Sequence, residues 1–270
     1  MEPVPGFDAY APREIAQRLE NVALAKAATP LLSLAMLGML AGAFIGLGSL
    51  FYTLVYSDAS LGFAAQRLLG GAVFTLGLLL VVVAGAELFT GNNLLAMAWA
   101  HGRVSTADVL RNWTVVCTAN FVGAAGLALL VFLSGHLDMN GGAVGKAYLK
   151  IAAAKTALPF WQAFFRGVLC NVLVCMAVWM TLAGRSVVDK FVAIFLPIAA
   201  FVAAGFEHSI ANMYFLPMAL LMQMSAGEPA QWAGLARNLV PVILGNVVGG
   251  SVLVALVYYV IYVRPARTGA

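Results

Sequence analysis

The sequence has few charged side chains. Asp, Glu, Lys and Arg make up only 10% of its 270 residues, while 63% are apolar; an ordinary soluble domain has about 25% charged residues. The net charge of +4 is small, and the basic residues do not cluster with aromatic ones, which argues against nucleic-acid binding. Several apolar runs reach the roughly 20 residues that span a bilayer. These features predict a single polytopic membrane domain that binds no nucleic acid.

Cysteine is also scarce, and this argues against two further classes of protein. The three cysteines, Cys117, Cys170 and Cys175, all lie within apolar segments, where cysteine usually acts as a small buried hydrophobic residue. Neither a disulfide framework nor a metal site is indicated, and no cofactor is expected. The first 28 residues are polar and lack the apolar core of a cleavable signal peptide.

Six apolar segments are long enough to cross a membrane. They cover about residues 31–55, 68–100, 107–133, 159–182, 190–222 and 239–263. A short amphipathic helix, predicted at 12–26 with Pro12 at its first position, precedes them. We expect three regions: 1–29, a cytoplasmic helix on the membrane surface; 30–263, the transmembrane domain; and 264–270, a cytoplasmic tail. The helix is expected to be a surface anchor, with a movable gate as the alternative.

The second and fifth segments are interrupted by the same pattern. G-x-E-x-x-x-x-N begins at Gly85 and again at Gly205, 120 positions later, and N-x-x-G begins at Asn120 and at Asn246. Paired interruptions in two halves are typical of transporters with inverted repeats and broken helices. The sequence therefore predicts an all-α membrane protein with six transmembrane helices in two inverted three-helix repeats, the second and fifth helices being broken.

Ionisable groups at membrane depth are restricted to the two breaks. They are Glu87, Glu207 and His208, and neither break contains Asp or Arg. Such groups are costly in a membrane and usually face a transport path, and the amides freed by a broken helix favour an anion. Histidine changes charge most readily near neutral pH. Together with Thr90 and Ser209, this set fits a small weak acid or its anion better than a metal cation.

Each of these residues has an alternative role. The two glutamates, Glu87 and Glu207, are expected to accept hydrogen bonds from freed amides and so stabilise the breaks. His208 could link helices, Thr90 could satisfy a backbone carbonyl, and Asn171 could either join helices or line the path. A membrane enzyme with His208 and Glu207 as an acid–base pair is a rival class, but no nucleophile motif accompanies them.

The distribution of basic residues predicts the orientation. Six crossings place both termini on one side, whose basic residues would be Arg13, Arg18, Lys26, Arg103, Arg111, Arg185, Lys190, Arg264 and Arg267. The opposite side would have Arg67, Lys146, Lys150, Lys155, Arg166 and Arg237. Three of these, Lys146, Lys150 and Lys155, are expected in one loop at about 134–158. The larger set belongs in the cytoplasm by the positive-inside rule.

Four stretches resemble the formate/nitrite transporter family. They are ELFTGN at 87–92, CNVLVCMAVWM at 170–180, GFEHSIANM at 205–213 and NLVPVILGN at 238–246, and the similarity extends over about 30–263. The resemblance implies an aquaporin-like fold and a homopentamer in which each protomer has its own pore. Because the N-P-A motifs of aquaporins are missing, we do not expect a water channel.

The resemblance also implies roles for individual residues. His208 matches the central pore histidine, Thr90 the loop threonine and Asn171 the pore asparagine; Lys155 matches the vestibule lysine, with Lys150 as the alternative. The expected apolar constrictions are Phe74, Leu78, Leu88, Phe89, Val174 and Phe201. The expected break-stabilising residues are Glu87, Glu207, Ser209 and Asn212.

The implied function is passage of a small monovalent anion or its weak acid through a bacterial inner membrane. Residues 184–190 and the region of Pro217 look more like formate channels, whereas Glu87 with Gly91, and Lys155 with Thr156, look more like nitrite channels. Formate is therefore expected first and nitrite second, with proton linkage through His208. A channel for hydrosulfide or another small weak acid on the same scaffold is the alternative.

Overall fold

The computed structural model describes residues 9–264, and every regular element in that range is helical. Six helices are long and apolar enough to cross a membrane. They are Leu31–Tyr56, Phe63–Gly85, Thr106–Leu133, Phe160–Thr181, Val187–Ala204 and Trp232–Val263. The predicted all-helical, six-span architecture is confirmed. Most of the expected tail, 265–270, and the first eight residues lie outside the described range.

We number the α-helices in chain order. They are α1 (Pro12–Ala28), α2 (Leu31–Tyr56), α3 (Phe63–Leu79), α4 (Phe89–Asn92), α5 (Leu95–Ala100), α6 (Thr106–Leu133), α7 (Ala143–Thr156), α8 (Phe160–Thr181), α9 (Val187–Ala204), α10 (Ser209–Ser225) and α11 (Trp232–Val247). π-Helical turns extend α3 through Leu80–Gly85 and continue α11 through Val248–Leu256 and Tyr259–Val263. A 3₁₀ turn covers His136–Asp138.

Helix α1 begins at the predicted proline and packs against the membrane domain. Glu14 accepts a hydrogen bond from the Ala11 backbone N–H at 2.8 Å, which satisfies one free amide at the helix start. Ile15 and Leu19, which lie on one face of the helix, are buried in a cluster that includes Met97 and Trp179. The helix therefore lies against α5 and α8 rather than on lipid alone.

Two predicted boundaries were wrong. The stretch 134–158, expected to be a loop, contains the 14-residue helix α7, whose run of alanine, lysine and leucine residues has high helix propensity. The last spanning helix begins at Trp232 rather than near 239, because Arg237 and Asn238 interrupt the apolar pattern that marked its start. Both corrections bear on the site, since α7 contains Lys155 and α11 contains Asn238.

Both predicted breaks are present and begin at glycine. Gly85 has φ +89° and Gly205 has φ +76°, a left-handed conformation that glycine adopts without steric cost. The chain is extended on reaching Leu88 and His208, and α4 and α10 begin at the next residues. After the first break the chain forms two short helices, whereas after the second it forms the single helix α10.

The first and last helices of each repeat pack backbone against backbone at equivalent glycines. A Cβ atom on Gly123 would lie 1.9 Å from the Met39 carbonyl oxygen, and one on Gly249 would lie 2.2 Å from the Val168 carbonyl oxygen. Both distances are far below van der Waals contact, so each position requires glycine. Such contacts are the usual way in which membrane helices approach closely, and here they bring Asn120 and Asn246 to the breaks.

Candidate transport site

Two equivalent asparagines fix the backbone at the breaks. Asn120 Oδ1 accepts a hydrogen bond from the Phe89 N–H at 2.9 Å, and Asn246 Oδ1 accepts one from the Ser209 N–H at 3.0 Å. Their Nδ2 atoms donate to the carbonyls of Glu87 and Glu207 at 2.9 and 3.0 Å. Each asparagine thus satisfies a donor and an acceptor that the broken helix leaves free.

The two glutamates bind side chains rather than the expected backbone amides. Glu87 accepts from Lys26 Nζ and from Asn92 Nδ2, both at 2.6 Å. Glu207 accepts from Lys155 Nζ at 3.0 Å and from Asn212 Nδ2 at 2.7 Å. The predicted donors were wrong because the asparagines described above already occupy the freed amides.

A second pair of asparagines, Asn112 and Asn238, extends the hydrogen-bond network of each glutamate. Asn92 Nδ2 also donates to Asn112 Oδ1 at 2.9 Å, and Asn212 Nδ2 donates to Asn238 Oδ1 at 2.7 Å. Asn238 in turn donates to the backbone carbonyl of Lys155 at 2.9 Å. The carboxylate, the lysine and two asparagines therefore form one connected group in the second repeat.

Two lysines occupy corresponding places, one in each repeat. Lys155 lies in the last turn of α7 and Lys26 in the last turn of α1, with side chains 14% and 22% exposed. Lys150, the alternative to Lys155, instead has its ammonium 5.5 Å from the centroid of the Tyr56 ring. Sequence reasoning missed Lys26 as a site residue; its position near the end of the helix preceding α2 was the available signal.

Two cavities open on either side of the breaks. The first, the α7 vestibule, has a volume of about 170 Å³ and is lined by Lys155, Glu207, His208 and surrounding residues. The second, the α1 vestibule, has a volume of about 490 Å³ and is lined by residues that include Lys26 and Glu87. Each vestibule therefore contains one lysine–glutamate pair.

A narrow apolar gap lies between the two vestibules. Its volume is about 10 Å³, at the lower limit for a single water molecule. It is lined by Ile45, Phe74, Leu78, Leu88, Val174, Ile198, Phe201 and His208. Five of the six predicted constriction residues are among them. The exception is Phe89, whose ring instead meets Trp113 edge-on with centroids 6.5 Å apart.

His208 is the polar residue of the gap, and its hydrogen bonds define its tautomer. Nδ1 accepts the Ala211 N–H at 3.1 Å, which makes His208 the N-cap of α10. An Nδ1 that accepts has no proton, so the neutral ring carries its proton on Nε2. Nε2 lies 3.1 Å from Thr90 Oγ1, and the ring stacks on Phe201. The two breaks therefore meet through the side chains of His208 and Thr90.

Asn171 lies beside this pair and links three segments. Its Nδ2 lies 3.2 Å from the Thr90 carbonyl, 2.7 Å from the Asn246 carbonyl and 2.8 Å from Asn93 Oδ1. These contacts correspond to the helix-joining role among the two alternatives. Its Oδ1, like Ser209 Oγ, is buried and has no hydrogen-bond partner within the part of the chain described.

The acid–base pairing of an enzyme is not formed here. The Glu207 carboxylate binds Lys155 and Asn212, while the His208 ring binds Thr90 and Ala211. The two residues are adjacent in sequence but belong to separate hydrogen-bond networks. Among residues 9–264, no group of three or more His, Cys, Asp or Glu side chains could hold a metal ion.

Comparison with known proteins finds a family model and several relatives that match most of the chain. The family model described as formate/nitrite transporter matches residues 13–260. The formate channel FocA of Escherichia coli K12 is 38% identical over 96% of both chains, and the formate channel BtFdhC of Bacillus thuringiensis is 37% identical over 94% of this chain and 96% of the other.

Solved structures agree with the sequence comparison. A pentameric formate channel with formate bound is 38% identical, with a TM-score of 0.79, over 86% of this chain and 97% of that chain. An aquaglyceroporin from Plasmodium falciparum is 14% identical, with a TM-score of 0.56, over 89% of this chain and 100% of the other. This second likeness concerns the fold alone and agrees with the predicted aquaporin-like architecture.

Proposed function

Because the chain belongs to the formate/nitrite transporter family, we propose that it passes a small monovalent anion or its weak acid across a membrane, with formate as the first substrate and nitrite as the second. The observation that carries this proposal is His208, which lines the apolar gap between the two vestibules and lies 3.1 Å from the buried Thr90 hydroxyl. Formate ranks first because relatives named formate channels are 37–38% identical over more than 90% of both chains.

In this proposal the vestibules bind the anion, and the gap determines whether the bare anion or the neutral acid passes. Lys26 and Lys155 place one ammonium group in each vestibule, beside its glutamate, and an ammonium group can donate hydrogen bonds directly to an incoming anion. The gap offers apolar side chains and little space for water, so a bare anion would lose its hydration there at high cost. Passage as the neutral acid removes most of that cost. The proposed transport is therefore linked to protons.

His208 is the proposed proton-linked residue of the gap. Its Nε2–H donates a hydrogen bond to the substrate, and Thr90 supplies the second polar contact. Complete transfer of the Nε2 proton to the substrate requires Nδ1 to take up a proton from water in the α7 vestibule, which His208 and Ala211 both line. This uptake breaks the bond from the Ala211 N–H. Proton transfer is thereby coupled to a local change at the N-terminus of α10.

We extend the proposal to assembly and orientation. The similar channel of known structure is described as pentameric, which supports a homopentamer with a pore in each protomer. Six crossings by the six long apolar helices would put both termini on the same side, and the basic residues favour the cytoplasm of a bacterial inner membrane. In this arrangement 1–29 forms the cytoplasmic helix region, 30–263 the channel and 264–270 the tail.

Flux measurements in proteoliposomes test the substrate and the charge that moves. The purified protein is offered formate, nitrite and hydrosulfide in turn, and electrical current and internal pH are recorded together. Neutral-acid passage acidifies the interior without current, whereas an anion channel gives current without matching proton movement. Failure to move any of the three substrates faster than protein-free liposomes would refute the proposal.

A further inference from the structure

The two vestibules differ at one equivalent position. The Leu37 carbonyl accepts the Glu87 N–H at 3.1 Å, and the Arg166 carbonyl accepts the Glu207 N–H at 3.2 Å. Leu37 lines the α1 vestibule and Arg166 lines the α7 vestibule. The backbone hydrogen bonds at these two positions are therefore equivalent, but the residue there is a leucine in the α1 vestibule and an arginine in the α7 vestibule.

The two vestibules differ by two units of net charge, of which Arg166 supplies one and Arg67 the other. The charged residues lining the α1 vestibule are Lys26 and Glu87, so this mouth is neutral. Those lining the α7 vestibule are Arg67, Lys155, Arg166 and Glu207, a net charge of +2.

The three cations of the α7 vestibule are not equally free to bind an anion. Lys155 is paired with Glu207 at 3.0 Å, and Arg67 donates from Nε to the Ala203 carbonyl at 2.8 Å at the end of α9. Arg166 is exposed, and its guanidinium has no hydrogen bond or ion pair with any residue from 9 to 264. Arg166 is therefore the cation of the α7 vestibule whose N–H donors remain free to bind an anion.

We propose that Arg166 captures the substrate anion in the α7 vestibule and makes capture from this side tighter than from the α1 side. This inference rests on the proposed function and adds a residue and a direction to it. A guanidinium offers two parallel N–H donors that match the two oxygens of formate or nitrite. In a water-like dielectric, a unit charge about 7 Å away raises the local concentration of a monovalent anion about threefold.

The repeat itself supplies the test substitutions. Arg166→Leu gives the α7 vestibule the residue found at the equivalent position of the α1 vestibule, and Leu37→Arg makes the reverse change. Arg166→Lys keeps the charge and serves as the conservative control. Initial rates of formate uptake are measured in right-side-out and inverted membrane vesicles from a host without its own formate channels. An N-terminal tag, tested for protease access, identifies the α1 side.

The expected result is a lower KM from the α7 side in the unmodified protein. Arg166→Leu should raise that KM about threefold, leave the KM from the α1 side unchanged, and lose its effect in about 0.5 M salt, where charge is screened. Arg166→Lys should retain most of the asymmetry, and Leu37→Arg should lower the KM from the α1 side.

Other outcomes separate the inference from the proposed function. Equal KM values from both sides in the unmodified protein, or an Arg166→Leu change that alters both sides alike, would overturn the role of Arg166 while leaving formate transport intact. Loss of the maximal rate alone would assign Arg166 to the fold and would also overturn its role in capture. No formate uptake by the unmodified protein from either side would overturn the proposed function, and this inference with it.

Discussion

Replacing His208 with asparagine separates the proton role of this residue from its structural role. Asparagine is among the best N-cap residues, so its Oδ1 can accept the Ala211 N–H that Nδ1 accepts now at 3.1 Å. Asparagine cannot change charge, and its shorter side chain withdraws from Thr90. We therefore expect His208→Asn to fold and assemble while losing the proton-linked part of transport.

The contacts of His208 set the expected loss of stability. The variant gives up one hydrogen bond, Nε2 to Thr90 at 3.1 Å, which contributes about 1 kcal/mol. It also gives up the stacking of the ring on Phe201, which contributes roughly 0.5–1.5 kcal/mol. His208→Ala removes the N-cap as well and should lose about 1 kcal/mol more of unfolding free energy. The difference in stability between the two variants therefore measures the contribution of the N-cap hydrogen bond.

The assay follows formate uptake and internal pH in proteoliposomes across a range of external pH. The wild-type flux should rise as the external pH falls, beyond the rise of free-acid leakage in protein-free liposomes. In His208→Asn the remaining flux should follow the solution abundance of the free acid only. A His208→Asn protein with the wild-type rate and pH profile would refute the proton role and leave this histidine as a structural residue.

Three further predictions concern the vestibule, the gap and the assembly. Lys155→Ala leaves Glu207 without its cation and should raise the KM for formate roughly three- to tenfold, with little change at saturation; the double variant with Glu207→Gln should restore much of the loss, and an equal loss at all concentrations would indicate a structural role. Thr90→Val removes the hydroxyl that contacts His208 and should lower the flux without abolishing its pH dependence, so a variant insensitive to pH would contradict the assignment. Native mass spectrometry in mild detergent should show a pentamer, and monomers or trimers alone would exclude it.

The membrane architecture could be predicted because its signals are local. Six long apolar runs and two matched interruptions are visible in the sequence, and they correspond to the six spanning helices and to the left-handed glycines at 85 and 205. The polar partners could not be predicted in the same way. Lys26 and Glu87 are 61 positions apart and meet only because α1 packs across the α1 vestibule.

The constriction shows the same limit for apolar residues. Leu88 and Phe89 are adjacent, and both are suitable for a narrow pore by composition. The extended backbone before α4 turns Leu88 into the gap and Phe89 towards Trp113, and the sequence contains no signal for this choice. Helix α7, in contrast, has a strong helix-propensity signal in its alanine- and lysine-rich sequence, so the helix could have been predicted from the sequence.

The scaffold of the site is symmetric, but its chemistry is not. The lysine, glutamate and asparagine contacts repeat at both breaks with hydrogen bonds of similar length. In contrast, His208 occupies the position that Leu88 occupies in the first repeat, directly before the restarted helix. Thr90 likewise corresponds to Ile210, at the second position of that helix. Each repeat therefore supplies one polar side chain where the other supplies an apolar one, and only their combination forms the His208–Thr90 contact beside the gap.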